Sequence, residues 1–413
     1  MRLVLASQGW DVFGGSESYL LTVGEQLQRL GHDVVVRVPG PGEVSKIASD
    51  RGLRVATKPS EAPADPDGVL AQDAATAYEL AAAYPDAARV YVAHSRDWDP
   101  QTPPQLDGVC HAVVALNDRV GAHCESLAVR PDLIRLRQPI DVARFGEQAS
   151  TKWRARRVLV IGNYWPWGKR NSRYEMVRDA CRVHDLELDR IGFPERPTAA
   201  PETTIAEADI VLGMGRCVLE AMASARAAYV YGMAGSDGWV TPERYPALEA
   251  NGFAGTATGV VGDRDRLTED LARFTPEMGG VNRNLAVQHH DAEPHAVELV
   301  EIFRRIEPRP APADAPLAEL GRLVRAQWES SGRAAAAIGR SRAYLTEVEA
   351  VREESRDLRG ELELLRRRHA AVVEGRRWRL IQLLATPIDV ARRIRTRLNT
   401  WRDRRTGGGS TRP

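Results

Sequence analysis

The chain has 413 residues, more than one core usually accommodates at ~100–200 residues per domain, so two domains and an extension are expected. Only 6 Phe and 10 Tyr occur while Ala, Arg and Val recur, which argues against an aromatic-rich β sandwich and for an α/β class with alanine-rich helices. The formal charge of +1 hides a segregation: residues 376–405 hold ten Arg against Asp389 and Asp403, a net of +8, so with Arg412 also counted residues 1–375 carry −8. A mildly acidic body with a basic end argues against a general nucleic-acid binder and for a localised contact with something anionic.

Cys110, Cys124, Cys181 and Cys217 form no C-x-x-C pair and read as reduced structural thiols. The opening MRLVLASQGW could start a secretion signal, but Asp11, Gly14, Gly15 and Glu17 interrupt it before an apolar core is long enough. No apolar run approaches the ~18 residues of a spanning helix, so the chain reads as cytoplasmic.

In chain order, Leu3 to Ala6 is a short apolar strand ended by a glycine loop. Helical spacing follows in Tyr19, Val23, Leu27 and Leu30, with a stop at Gly31, and Val34 to Val38 is the next strand. This βαβ unit predicts a parallel sheet with helices on its faces. Val90 to Ala93 and Ala112 to Ala115 extend the series, with Pro59 to Gly68 a loop. A second set begins at Val158 to Ile161, continues through a helix over 172–184, and then runs through strands at Leu186 to Ile191, Ile210 to Gly213 and Ala228 to Tyr231. Two successive α/β units predict two Rossmann-like domains facing a cleft, residues 1–145 and 146–306.

The four prolines of PRPAPADAP predict a stiff linker, so residues 307–339 are assigned to a Pro-rich linker and helix outside the globular part. Positions 348, 351, 355, 358, 362, 365, 369 and 372 alternate steps of three and four, and six of the eight are Val or Leu, a coiled-coil seam over 340–375. In the tail, residues 376–413, Ala391, Ile394, Leu398 and Trp401 recur at helical spacing with arginines largely elsewhere, an interfacial pattern.

Several motifs in order carry a resemblance. Gly14-Gly15-Ser16-Glu17 follows the first strand, Gly31-His32-Asp33-Val34 opens the second, and Pro139-Ile140-Asp141 stands ahead of Phe145. Ala208-Asp209-Ile210-Val211 then precedes Gly215-Arg216-Cys217-Val218-Leu219-Glu220-Ala221-Met222-Ala223. At these separations the set resembles family-4-type glycosyltransferases of the GT-B fold, over residues 1 to about 306. The tail, with Trp378-Arg379 followed by Pro387 and basic residues, resembles one appended to bacterial surface-polysaccharide transferases.

The residues themselves suggest roles. Gly14 and Gly15 between a strand and a helix let backbone approach a ligand and offer free amides at a helix N-terminus, which favours an anion; a tight βα turn is the plainer alternative. Glu220 begins a helix at the carboxyl side of the second sheet, where a carboxylate can accept both hydroxyls of a ribose, and the resemblance implies that role in binding the nucleotide of a sugar donor. The family's second Glu, eight residues earlier, is Leu212 here, and Arg216 beside Gly215 is a substitute polar contact to the donor. A diphosphate needs cations, and Lys169 or Arg170, with Arg173 in reserve, stands where the family carries them, Asn163 replacing its Arg. His94 ends a strand on the cleft side, where the resemblance implies a catalytic contact near the sugar. Glu17 and Asp97 are expected on the acceptor side.

Asp97-Trp98-Asp99 matches a D-x-D metal motif formally but lies before Pro100 in a loop of the wrong architecture, and no metal or cofactor is expected. The whole implies transfer of a sugar, with retention, from a nucleotide diphosphate sugar to a glycan or lipid-linked glycan acceptor. A homodimer through the coiled coil would set the tail peripherally on the anionic inner face of the cell membrane. A nucleotide-sugar epimerase, or a non-catalytic nucleotide-sugar-binding scaffold, is the alternative.

Overall fold

The structure, a computed structural model, describes all residues except 11–12, 97, 130, 147–153, 164–172, 193–195, 199, 233, 261–263, 313, 375–389 and 400–413. The first α/β domain runs β1 (Arg2–Ala6), α1 (Gly15–Arg29), β2 (Asp33–Arg37), α2 (Glu43–Asp50), β3 (Arg54–Ala56), β4 (Gly68–Ala71), α3 (Ala74–Ala83), β5 (Ala88–Ala93), β6 (Ala112–Ala115), α4 (Asp118–Ser126) and β7 (Asp132–Arg135). Its seven strands lie in the order β3-β2-β1-β4-β5-β6-β7, all parallel. β3, β4 and β7 escape the periodicity reading because β3 has only three residues, β4 starts at Gly68 at the end of the Pro/Asp-rich stretch, and β7 is bounded by Asp132 and Arg135.

The second domain contains β8 (Arg157–Ile161), α5 (Arg173–Val183), β9 (Glu187–Ile191), α6 (Pro201–Glu207), β10 (Ile210–Gly213), α7 (Arg216–Ala223), β11 (Ala227–Tyr231), β12 (Ser236–Trp239), α8 (Tyr245–Ala250), α9 (Arg264–Ala272) and α10 (Glu277–His290). Its sheet order is β12-β11-β10-β8-β9, with only β12 antiparallel. Both sheets are covered on both faces, as crossover helices require, so the central strands are largely apolar: Leu3, Val4, Leu5, Val35, Val36, Val92, Val158, Leu159 and Ile210 are fully buried.

The chain crosses between the domains at two adjacent places. Ile140 donates its amide to His290 O at 2.7 Å and accepts from the Ala292 amide at 3.1 Å. After the second crossing α11 (Ala292–Arg305) returns to the first domain, burying Ala296, Leu299, Val300, Ile302 and Phe303 against α1 and the β1 and β5 face. The assignment of 146–306 as one domain is therefore corrected: 292–305 completes the first core. A fully buried Leu, Ile, Val or Phe contributes about 1.5–3 kcal/mol, so this docking is worth several kcal/mol. Gly68 makes room for it, since a Cβ there would come within 2.6 Å of the Phe303 ring.

The Pro-rich stretch is also not a free linker. Buried Arg89 has no carboxylate partner among the described residues and donates instead to Val109 O, Gly108 O and Arg309 O, the last at 2.7 Å. α12 (Asp314–Glu374) follows, with Leu317 fully buried among Val109, Val113 and Ala81 on the α3 face of the first sheet. Trp328, farther along, sets its ring edge to face on Trp98, centroids 5.9 Å apart. The globular part thus extends past 307, because apolar residues at helical spacing after Pro316 had a sheet face to cover.

The chain divides into two compact units, Met1–Arg340 and Ser341–Pro413. The second holds the remainder of α12, with Leu358, Leu362 and Leu365 all exposed, and a helical stretch over 390–399. Among the described residues no helix is long and apolar enough to cross a membrane.

Candidate functional site

The carboxyl ends of the strands in both domains converge on a small set of polar side chains. In the first domain, Ser7 after β1, Gln72 after β4 and His94 after β5 form a hydrogen-bonded row. Gln72 Nε2 donates to Ser7 Oγ at 2.9 Å, and Gln72 Oε1 meets His94 Nε2 at 3.1 Å. An amide oxygen can only accept, so His94 carries its proton on Nε2 and leaves Nδ1 as a base lone pair. The ring stands edge to face against Tyr19 at 5.0 Å, and Tyr19 Oη meets His295 Nε2 at 2.9 Å. Burial, reinforced by the positive charge of Arg216, pushes His94 down to about 3. It is therefore neutral at any ordinary pH and can trade hydrogen bonds with a hydroxyl rather than supply a positive charge.

Gly14 is the N-cap of α1 with extended backbone, φ −139°, so its lack of a side chain serves space rather than conformation. A Cβ there would fall 2.7 Å from Glu17 Oε2, and nothing lies within 4 Å of one at Gly15. Glu17 folds back over the helix start, accepting from the Ser16 hydroxyl at 3.1 Å. Burial pushes its carboxyl up to about 7, against hydrogen bonds from its own amide, Ser16 and the Gly14 amide. The free amides expected at this N-terminus are thus already facing a carboxyl of the same chain. Asp73, which caps α3 through Thr76 N at 2.8 Å and takes the Gln8 amide at 2.8 Å, is likewise pushed up by burial, to about 6.

In the second domain β10 ends in Gly213, and Gly215 caps α7 with φ 62° and ψ −131°, a backbone conformation that favours glycine. This turn brings Arg216 and Glu220 inward, both buried. Arg216 Nε donates to Glu220 Oε1 at 3.1 Å, Nη1 to Pro139 O at 2.9 Å and Nη2 to Thr22 Oγ1 at 2.8 Å. Three of the five N–H donors of this buried guanidinium go to protein, one from each nitrogen, so its position is fixed by the fold. It links α7, the interdomain segment and α1. Burial pushes the Glu220 carboxyl up while Arg216 pulls it down. Glu220 Oε2 has no protein donor among the described residues.

Leu212, in place of the second Glu, is fully buried in the apolar cluster with Val160 and Tyr229. At the start of α5, Arg173 lies over the Tyr231 ring, 5.3 Å from its centroid, and its Nη1 is buried without a hydrogen-bond partner. Sequence reasoning kept Arg173 only in reserve; its orphaned donor lies at a helix N-terminus beside the second sheet. Lys169, Arg170 and Asp97 lie outside the described residues. Among the described residues, no three His, Cys, Asp or Glu are grouped to hold a metal ion.

No family model matches the chain, and no curated protein matches it in sequence. Solved structures share its fold. Anabaena Alr3699/HepE in complex with UDP superposes with a TM-score of 0.53 at 15% identity, over 74% of this chain and 100% of the other. The same protein in complex with UDP-glucose gives 0.51 at 13% identity over 73% and 99%. An alpha-glucosyltransferase in complex with UDP and a 13-mer DNA containing a HMU base gives 0.50 at 10% identity over 74% and 100%. At such identities the likeness establishes the fold, a two-domain α/β arrangement of the GT-B kind.

Proposed function

We propose that the protein is a glycosyltransferase that takes a sugar from a nucleotide diphosphate sugar, a uridine diphosphate sugar in the first instance, and places it on a glycan or lipid-linked glycan. The observation that carries this reading is Glu220. It stands on α7, the helix that follows β10, one carboxylate oxygen fixed by Arg216 and the other without a donor among the described residues, the arrangement that would hold a ribose hydroxyl in one orientation. Arg173 with its orphaned Nη1, and Lys169 and Arg170 by sequence position, would stabilise the departing diphosphate. His94, neutral and anchored through Gln72, would meet the transferring sugar. UDP in two structures of the same fold and UDP-glucose in a third support the donor class. Retention of configuration follows from the family resemblance.

Calorimetric titration of UDP, followed by turnover across a panel of nucleotide sugars, tests this. UDP binding with turnover of at least one donor supports it, and no binding of any nucleotide diphosphate removes it. A non-catalytic nucleotide-sugar-binding scaffold is the second reading. It is favoured by buried Leu212, which leaves no carboxylate where the resembling enzymes contact the donor sugar; binding without turnover of any donor would select it.

The second unit supports a dimeric, membrane-peripheral, cytoplasmic placement. Leu358, Leu362 and Leu365 are exposed along one seam of α12. Val390, Ile394 and Leu398 recur every fourth residue beside Arg392, Arg393, Arg395 and Arg397, a basic amphipathic pattern suited to an anionic surface.

A further inference from the structure

Across the carboxyl edge of the first sheet, following its strand order, stand Thr57, Arg37, Ser7, Gln72 and His94. Beside the β3-β2-β1 end of this row lies a cavity of about 300 Å3, walled in part by Ser7, Arg37, Thr57, Thr76, Glu79 and Arg325. Arg37 ends β2, Glu79 lies on α3, and Arg325 is brought in by α12, the helix that packs on the α3 face.

Charge in this cavity is unbalanced. Among the described residues Glu79 is the one carboxylate in its wall, and its Oε1 takes both Nε, at 3.1 Å, and Nη2 of Arg325. Arg37 Nη2 stands 3.9 Å from Glu79 Oε2, beyond hydrogen-bond reach. Two guanidiniums therefore share one acid, whose Oε1 is taken by Arg325, and among the described residues the Arg37 side chain has no hydrogen bond. The side chains of Arg37, Glu79 and Arg325 are only 19%, 21% and 22% exposed, so solvent screens this excess charge less than on an open surface. A neutral ligand would leave the charge of Arg37 uncompensated. An oxyanion would complete it with charge-assisted, forked hydrogen bonds, while the hydroxyls of Ser7, Thr57 and Thr76, whose protons go to Gly9 O, Glu61 Oε2 and Asp73 O, could accept from sugar hydroxyls.

We propose that this cavity is a subsite for an oxyanion carried by the acceptor, a phosphate or a carboxylate on a sugar unit, so that the protein extends an acidic rather than a neutral glycan. The proposal rests on the glycosyltransferase reading for the word acceptor, and its placement supports that word. Ser7 in the cavity wall is joined to His94 through Gln72 by hydrogen bonds of 2.9 and 3.1 Å, so the subsite lies next along the row to the proposed reaction centre. A volume of about 300 Å3 is at the lower end of small-ligand pockets and fits one monosaccharide-sized unit.

The test is calorimetric titration of the full-length protein, with UDP present in excess to fill the donor site, by glucose 1-phosphate, glucuronate and glucose. At least one of the two anionic sugars should bind, glucose should bind at least tenfold more weakly, and the anion that binds identifies phosphate or carboxylate as the source. Arg37→Gln should weaken that binding at least tenfold while Arg37→Lys retains part of it. Glu79→Gln, which removes the competing negative charge but keeps an oxygen for Arg325, should tighten it several-fold. Equal binding of glucose and both anions, no binding by either anion, or wild-type affinity in Arg37→Gln would overturn the subsite. UDP titrated alone into the same samples separates the two readings: UDP binding without anion binding removes the subsite only, and anion binding without UDP binding removes the donor reading only.

Discussion

Arg216 and Glu220, one turn apart on α7, form a buried ion pair at 3.1 Å, and the same guanidinium crosses to Thr22 on α1 at 2.8 Å. The carboxylate proposed to read the nucleotide is thereby oriented by a residue that also fastens the two domains. Removing one partner of a buried pair strands the other charge at a cost of about 3–5 kcal/mol. Arg216→Ala is accordingly expected to lower stability to urea by that order. The double variant Arg216→Met with Glu220→Leu should be less destabilised than the two single losses combined. Additive losses would show that the pair does not act as a unit.

Glu220→Gln separates the ligand role from the structural one. The amide oxygen can still accept from Arg216, while an NH2 replaces the free Oε2 where a ribose hydroxyl needs an acceptor. Loss of a charge-assisted hydrogen bond of about 1.5–3 kcal/mol should weaken UDP tenfold or more. Unchanged UDP affinity in a folded Glu220→Gln protein would remove Glu220 from the donor site.

Glu17 sets a pH dependence. Its carboxyl is raised from 4.5 to about 7 in the folded protein, so the folded state holds the proton more tightly than the unfolded chain does. Its contribution to stability is full below about 4.5 and is lost as pH rises through about 7. Melting temperature measured from pH 4.5 to 7.5 should fall more steeply in the wild type than in Glu17→Gln. Asp73, raised to about 6, adds a loss of the same sign and will remain in the variant. Parallel curves would place Glu17 in solvent.

Strand positions were largely readable because buried parallel strands are short unbroken runs such as Val34 to Val36 and Val158 to Ile161, and because Gly215 marks the turn before α7 by the backbone angles it adopts. Tertiary destinations were not. Nothing in the spacing of Leu299, Val300 and Phe303 says that their helix packs on the sheet of the other domain, and nothing in a run of prolines says that Arg89 holds residue 309. For the same reason the protein partners of Arg216 were not legible: a charged residue at the start of a helix looks alike in sequence whether or not it reaches Thr22 and Pro139 O. The Arg37 and Arg325 pairing spans two elements far apart in the chain and had no sequence signature at all.

His94 should act on turnover rather than on nucleotide affinity, since its partners Gln72 and Tyr19 belong to the first domain and not to the nucleotide side. His94→Asn is expected to lower kcat at least a hundredfold with UDP affinity within twofold of wild type. Because the imidazole stays neutral with a value near 3, wild-type turnover between pH 5 and 8 should show no inflection from this residue. Turnover near the wild-type level in the variant would make His94 structural.

The two compact units predict where the chain can be cut. A protein ending at Arg340 keeps Arg309 on Arg89, Leu317 in the first core and Arg325 on Glu79, so it should melt near the full-length temperature and bind UDP unchanged. A protein ending at residue 306 loses all three: burial of Leu317 alone is worth about 1.5–3 kcal/mol, and Arg89 would be left with a donor to re-satisfy. That shorter form should melt measurably lower. The cut at 340 should also abolish self-association and flotation with anionic vesicles, because it removes exposed Leu358, Leu362 and Leu365 together with the arginines around Ile394 and Leu398. Each Arg near an anionic surface contributes ~1 kcal/mol, and pairing two tails in a dimer raises their joint binding through effective concentration, so flotation of the full chain should fall steeply with salt. Sedimentation and vesicle flotation across a salt series measure both effects. Flotation of the 340-residue form equal to that of the full chain would remove the tail as the membrane contact, and flotation of the full chain that ignores salt would assign the contact to Val390, Ile394 and Leu398 rather than to charge.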